Sequence, residues 1–220
     1  MPEPLIVAID GPAASGKTSV GRLVAQSMGL PFVDSGLLYR AIAAAAAHEG
    51  IPNDNAEGLG ELAARAEIQI DGDQVIVNGI DFSKAIRHPD INKNLAAVSA
   101  TKPVRVQINP KLREMAAHGV VMAGRDIGPV VFPKTPFKFY ITATLAERMR
   151  RRGLDFESRG QHVTDEFLRH EIAERDKIDT APDPEAEIIS TDSMNQAQVA
   201  TYILDAIAGI DHPSLAPVSL

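Results

Sequence analysis

Leu5-Ile6-Val7-Ala8-Ile9-Asp10-Gly11-Pro12-Ala13-Ala14-Ser15-Gly16-Lys17-Thr18-Ser19-Val20-Gly21 passes from an apolar run through a glycine-bounded loop into a second apolar pattern. Its first five residues form an apolar run of the kind a fully buried parallel strand shows. Gly11 to Thr18 then satisfy the spacing G-x-x-x-x-G-K-[ST], and Ser19, Val20, Leu23, Val24 and Met28 continue with a helical apolar pattern. Strand, glycine-bounded loop and helix are the setting that a phosphate-binding loop requires. In such a loop the backbone N–H groups between Ala13 and Thr18 face the phosphates, helped by the dipole of the following helix. Gly11 and Gly16 permit backbone geometry and close approach that a Cβ would obstruct. Lys17 reaches the β- and γ-phosphates, and the Thr18 hydroxyl holds Mg²⁺. The loop therefore predicts ATP binding. It does not by itself separate a kinase from a switch or a motor.

The rest of the chain narrows the choice. At 220 residues, 45% hydrophobic and 23% charged, it has the composition of a soluble globular protein with a sizeable core. Zero cysteines exclude disulfides and thiolate metal sites, and fit a cytoplasmic setting. Met1-Pro2-Glu3-Pro4 lacks the basic-then-apolar order of a secretory leader, and no apolar run approaches the ~18–20 residues that span a bilayer. A net charge of −7 argues against polymeric nucleic acid as a partner. A GTP-binding switch would add D-x-x-G and N-K-x-D elements. No D-x-x-G occurs, and Asn92-Lys93-Asn94 runs into Leu95 instead of an aspartate. A motor or remodelling ATPase needs more chain, so transfer to a small acceptor is the better reading. A monomer is expected.

Taken in order, Pro31 to Val33 reads as a second strand ending at Asp34-Ser35-Gly36, and the alanine-rich Gly36 to His48 as a helix. Asn53 to Arg65 reads as a further helix. Glu67 to Val77 alternates around Asp71-Gly72-Asp73, a hairpin signal, and Ile80 to Phe82 adds an edge strand. Helices follow over Ile91 to Ala100 and Val104 to Ala117, then buried strands over Gly119 to Ala123 and Phe137 to Ile141. Leu145 to Arg152 is a helix bearing Arg148, Arg150, Arg151 and Arg152, with Gly153 to His162 expected as a loop. Thr164 caps a helix running to about Ile178. Thr180 to Glu187 is acidic and proline-rich, Glu187 to Ser190 is a fifth strand, and Gln196 to Ile207 a last helix. Alternation of this kind predicts an α/β fold, a five-stranded parallel sheet flanked by helices. Its ligands belong beyond the carboxyl ends of the strands, where Asp10-Gly11, Asp34-Ser35 and Gly124-Arg125-Asp126 fall.

Phosphoryl transfer needs cations around the transferring group. Arg40 and Arg125 beside strand-end loops, Arg105, the arginines of the 145–152 helix, Arg169 and Arg175 are the candidates. Arg175 and Asp179 lie four apart on one helix face, a spacing that an ordinary salt bridge also explains. The six histidines show no metal-ligand spacing.

On three segments the chain resembles bacterial cytidylate kinases of the nucleoside monophosphate kinase group: Ile9 to Ala25 (IDGPAASGKTSVGRLVA), Asp34 to Ala41 (DSGLLYRA) and Gly124 to Pro133 (GRDIGPVVFP). Val77 to Arg87, the stretch around Arg105 and Glu174 to Asp179 add support, and the likeness runs from Leu5 to about Asp205. The resemblance implies a P-loop kinase transferring the ATP γ-phosphoryl group to CMP or dCMP with Mg²⁺, in pyrimidine nucleotide metabolism. It implies a core of about 4–50, 101–145 and 186–208, a small β-containing acceptor-binding insertion of about 51–100, a helical lid of about 146–185 and a tail over 211–220. It places Gly11, Pro12, Ala13, Ala14, Ser15, Gly16, Lys17, Thr18, Ser19 and Arg148 at ATP, with Thr18 on the metal. Ser35, Gly36, Arg40, Arg105, Arg125, Asp126, Arg175 and Asp179 fall to the acceptor, and Lys17, Arg125 and Arg175 to catalysis. Among these, Arg105 and Asp126 would read the cytosine.

Three positions depart from the family pattern: Pro182 stands for an arginine, Ala96 for a serine, and Pro129 for a threonine. The alternatives are a P-loop kinase for another small acceptor and a weakly active nucleotide-binding regulator.

Overall fold

The computed structural model describes residues 4–72, 74–158, 160–177 and 181–209. Contacts divide the chain into two compact units, Met1–Val33 with Met115–Leu220, and Asp34–Glu114. In chain order the elements are β1 (Ile6–Asp10), α1 (Lys17–Met28), β2 (Phe32–Asp34), α2 (Ser35–Glu49), α3 (Ala56–Arg65), β3 (Ile68–Asp71), β4 (Gln74–Val77), β5 (Ile80–Asp81), α4 (Pro89–Ala100), α5 (Lys102–Met115), β6 (Val120–Ala123), β7 (Phe137–Thr142), α6 (Leu145–Glu157), α7 (Asp165–Asp176), β8 (Glu187–Ser190) and α8 (Gln196–Ala208). A 3₁₀ turn, Ala85–Arg87, and a π-helical turn, Ile127–Val131, complete them.

In the first unit the strands form a five-stranded sheet in the order β2-β6-β1-β7-β8. β1 runs parallel to β6 on one side (Ile6↔Val120 to Ile9↔Ala123) and to β7 on the other (Val7↔Phe137 to Asp10↔Tyr140). β7 in turn runs parallel to β8. Every residue of β6 is buried, as a central parallel strand demands, whereas edge strand β8 buries only Ile189. One apolar cluster joins Val7, Ile9, Val121, Phe137 and Phe139 to Val20 and Val24 of α1 and to Val199, Ile203 and Ile207 of α8. Gly21 lets α1 approach closely, because a Cβ there would lie 2.5 Å from the Phe32 ring.

The second unit is built on α2, whose alanines 41, 43, 44, 45 and 46 are buried. That small-residue surface admits α3, α4, the 3₁₀ turn and β4 around one helix. The β3-β4-β5 sheet is antiparallel, with Ile68 opposite Val77, and the β3–β4 turn has Gly72 at φ 56°. Its second turn uses Asn78 at φ 50° and Gly79 at φ 79°, the positive-φ pair that an Asn-Gly hairpin turn needs.

One expectation is corrected. The polar segment from Gly153 is not a loop at its start, because α6 continues to Glu157. Gly153 is not a helix stop: a Cβ there would make only ordinary contact with Leu168 Cδ1 at 3.5 Å, so a side chain would fit and the helix passes through. Phe156 is buried on the same stretch, edge-on to Phe167 at 5.7 Å. This packing carries the helix through a residue of poor propensity. The Thr164 side chain caps α7 as expected, accepting from Phe167 N–H at 3.2 Å. Asp179 and the 211–220 tail lie outside the described residues.

Candidate active site

The phosphate loop leaves β1 at Gly11, where φ is 146° and a Cβ would stand 2.0 Å from the Ile141 carbonyl oxygen. No other residue fits that position. Ala14 at φ 60° and Gly16 at φ 104° complete the turn, and α1 starts at Lys17. The loop is held from behind. The Ala13 carbonyl accepts from Arg148 at 3.4 Å, and the Ser15 carbonyl accepts from Arg151 at 2.8 Å. The Thr191 hydroxyl lies 3.2 Å from the same Ser15 oxygen. A peptide's C=O and the next N–H point in opposite directions. The N–H groups of Ala14 and Gly16 therefore face away from the two arginines, the orientation that anion binding at a helix start uses. Lys17 Nζ bends over the loop to donate to the Pro12 carbonyl at 2.7 Å, and the Ser15 hydroxyl is buried with no hydrogen-bond partner among the described residues.

A single helix supplies these supports. Arg148 and Arg151 lie three apart on α6, so they share a face. Arg148 is further fixed by a two-pronged ion pair with Asp176 of α7, 2.8 Å on each arm. Arg151 and Arg150 both hold Glu147, at 2.8 Å and 2.7 Å. The Arg150 hydrogen bond above all, with that of Arg151, lowers the Glu147 carboxyl from 4.5 to about 2. A depressed carboxylate contributes stability that is complete above its unfolded value and is lost as pH falls through the folded one. Glu147→Gln is therefore expected to melt below the wild type at pH 6 and to converge with it near pH 2. Parallel thermal melts across that range test this, and a constant gap down to pH 2 would contradict it.

The Gly124-Arg125-Asp126 turn is held by β1. Gly124 N–H donates to the Ile9 carbonyl at 3.0 Å. The Asp10 carboxylate accepts from Ile127 N–H and Gly128 N–H, each at 2.8 Å. Burial pushes Asp10 up and these two bonds pull it down, with a net rise. Asp126 is buried, and its carbonyl accepts from Val130 and Val131 to close the π-helical turn. Pro129 fits here because the third residue of a helical turn needs no donor. The Arg125 guanidinium donates to the Arg175 carbonyl, so this turn and α7 meet. Arg175 also faces Glu171 at 3.7 Å, four residues before it.

Beyond α7, Lys138 of β7 is buried between Asp183 at 3.0 Å and Glu185 at 2.6 Å. Burial alone would lower its pKa, but hydrogen bonds to the two carboxylates outweigh that and raise it. Asp183 and Glu185 of the acidic stretch are thus an ion-pair anchor on β7.

In the second unit, Ser35 opens α2 and is buried, and the Asp34 carboxylate caps the helix by accepting from Gly36 N–H at 3.0 Å. Arg40, on the same helix, donates to the Ile86 carbonyl at 3.2 Å and to the Asn92 side chain. Arg105 of α5 donates to the Ser99 carbonyl at 3.1 Å and lies 5.9 Å from the Tyr39 ring centre. Burial raises the Tyr39 hydroxyl, an effect that Arg105 partly offsets.

The Cytidylate kinase family model matches residues 7–209. The chain belongs to the cytidylate kinase family. The cytidylate kinase of Caldanaerobacter subterraneus subsp. tengcongensis is 38% identical over 209 residues, covering 91% of this chain and 93% of that one. A bifunctional pantoate ligase/cytidylate kinase from Synechococcus sp. strain CC9605 is 37% identical over 93% of this chain, which spans 45% of that longer protein. Among solved structures, an uncharacterized protein from Eubacterium ventriosum superposes with a TM-score of 0.53 at 13% identity, covering 93% of this chain and 98% of that one, a likeness of fold. As a cytidylate kinase the chain is an ATP-dependent phosphotransferase that phosphorylates CMP or dCMP.

Within this cytidylate kinase, the first unit gathers Gly11 to Ser19 with Arg148, and Arg125 with Arg175. The second gathers Ser35, Gly36 and Arg40 on one helix, with Arg105 beside Tyr39. Sequence reading places Asp10 at the ligand end of the sheet and Arg151 among the candidate cations, without the partners each one holds, and it misses Thr191 and Lys138. Those two act across long sequence separations and have no local signal.

Proposed function

We propose that Lys17, Arg125 and Arg175 supply the positive charge that the transferring phosphoryl group needs, and that the protein works by alignment and charge neutralisation. The supporting observation is the phosphate loop whose Ala13 and Ser15 carbonyls are pulled back by Arg148 and Arg151. Gly11 to Ser19 take the ATP phosphates, with Arg148 shaping the loop. Ser35 and Gly36 serve the acceptor's sugar, Arg40 and Arg125 its phosphate, Arg105 and Asp126 its base, and Arg175 with Asp179 its ribose and phosphate. A carboxylate accepts from the exocyclic amine of cytosine and a guanidinium donates to its carbonyl and ring nitrogen. α6 and α7 form the lid that excludes water.

The residues present fit Mg²⁺. The Thr18 hydroxyl stands in the first turn of α1 beside Lys17, a hard oxygen donor of the kind the ion takes together with substrate phosphate oxygens and water. Bound there, the ion neutralises charge on the β- and γ-phosphates. We place the reaction in the cytoplasm, in a monomer that binds ATP and CMP or dCMP and neither polymeric nucleic acid nor membrane. The absence of cysteine supports that setting, and among the described residues no helix is long and apolar enough to cross a membrane.

Assay with ATP against CMP, dCMP, UMP and AMP tests the reading. Transfer to CMP and dCMP well above UMP and AMP is expected. Transfer confined to a non-nucleotide, or ATP binding without transfer, would overturn it.

A further inference from the structure

The carboxylate of Asp10 spends both oxygens on consecutive backbone donors, one on Ile127 N–H and one on Gly128 N–H, each at 2.8 Å. Those donors follow directly on Arg125 and Asp126. Asp10 is 5% exposed, so water does not compete for these bonds. The next residue after Asp10 is Gly11, whose place against the Ile141 carbonyl is fixed by contact. One side chain therefore joins the strand end that launches the phosphate loop to the turn that bears Asp126.

The other side of the turn is equally confined. A Cβ on Gly128 would stand 3.3 Å from Asp10 Oδ2 and 3.4 Å from the Lys138 side chain. Lys138 is itself immobilised by Asp183 and Glu185. The turn's remaining peptides are closed internally, through Val130 and Val131 to the Asp126 carbonyl and Phe132 to the Ile127 carbonyl. Asp10 thus holds the only two N–H groups of the turn that precede Pro129 and lie past Asp126. A site that discriminates bases by hydrogen bonds depends on donor and acceptor positions being fixed within a few tenths of an ångström.

We propose that Asp10 is a positioning residue for cytosine selectivity: by clamping Ile127 and Gly128 it sets where Asp126 presents its carboxylate, without touching the nucleotide itself. This rests on the assignment of base reading to Asp126. Asp10→Asn keeps one acceptor oxygen but turns an NH₂ group toward the second N–H, donor against donor, and so loosens the turn. The expected result is a CMP-over-UMP ratio of kcat/KM lower by about tenfold, carried by the KM for CMP, with ATP affinity by equilibrium titration within about threefold of wild type.

Gly128→Ala provides an independent variant, since it keeps the carboxylate and displaces it by steric contact. A fall in the same ratio, smaller than for Asp10→Asn, is expected. A lower melting temperature with an unchanged ratio in both variants means that Asp10 serves stability alone and overturns the proposal. Asp126→Ala is the control. Selectivity lost in Asp126→Ala but kept in Asp10→Asn and Gly128→Ala overturns the positioning role alone. Selectivity kept in Asp126→Ala overturns the base-reading assignment, and the proposal with it.

Discussion

Lys17→Ala is expected to lower kcat by about 10³-fold or more while the melting temperature moves by no more than a few degrees. The two halves of this expectation have separate causes. Lys17 is the first residue of α1, and its ammonium arches over the loop to the Pro12 carbonyl. In the proposed role its flexible side chain would follow charge as it moves from the γ-phosphoryl group to the leaving diphosphate. The loop's backbone donors, and Arg148 and Arg151 that reach it from α6, are fixed and cannot substitute for it. The face by which α1 is anchored consists of Val20, Gly21, Val24 and Ala25, so the lysine contributes nothing to that packing. Alanine is moreover the best helix former. Steady-state rates with saturating ATP and CMP, set beside a thermal melt of the same sample, read both halves. Turnover within tenfold of wild type would remove Lys17 from the mechanism.

The second large effect concerns which base is accepted. Asp126→Ala should reduce the CMP-over-UMP ratio of kcat/KM by about 10²-fold or more, because a buried carboxylate matched to an exocyclic amine repels the carbonyl that uracil carries in its place. Asp126 is only 6% exposed, so its acceptor oxygens work in a medium that screens poorly. Asp126→Asn sharpens the test. Its amide can donate to the uracil carbonyl, so the asparagine variant should gain on UMP in absolute terms, where the alanine variant mainly loses on CMP. A ratio unchanged in both variants would take Asp126 out of base recognition.

What could be read in the sequence was what is local. The apolar run before Gly11, the glycine spacing of the loop, the Thr164 cap and the Asn78-Gly79 turn each state their structure within a few residues, and each is found. Gly153 shows the opposite case. Its low helix propensity points to a break, and the helix continues because Phe156, three residues on, is buried edge-on to Phe167. In the sequence Asp10 reads as the residue just past a strand, at the ligand end of the sheet. Its partners are 117 and 118 residues away, and no pattern near position 10 announces them. Lys138 reads as a polar interruption of a buried strand until Asp183 and Glu185 are set beside it. The acidic segment that departs from the family pattern at Pro182 gains a structural reason from that pairing, independent of any ligand.

The support of the phosphate loop from α6 bears on how far the motif can travel. Gly11 to Thr18 is eight residues long, yet the groups that turn its carbonyls aside come from 135 and 136 positions further along the chain. Grafted into another strand–helix junction, those eight residues would bring the lysine and the glycines but not Arg148 or Arg151. A truncated chain ending before Thr144 would likewise keep the signature and lose its shape. The portable unit is the loop together with the first two turns of α6.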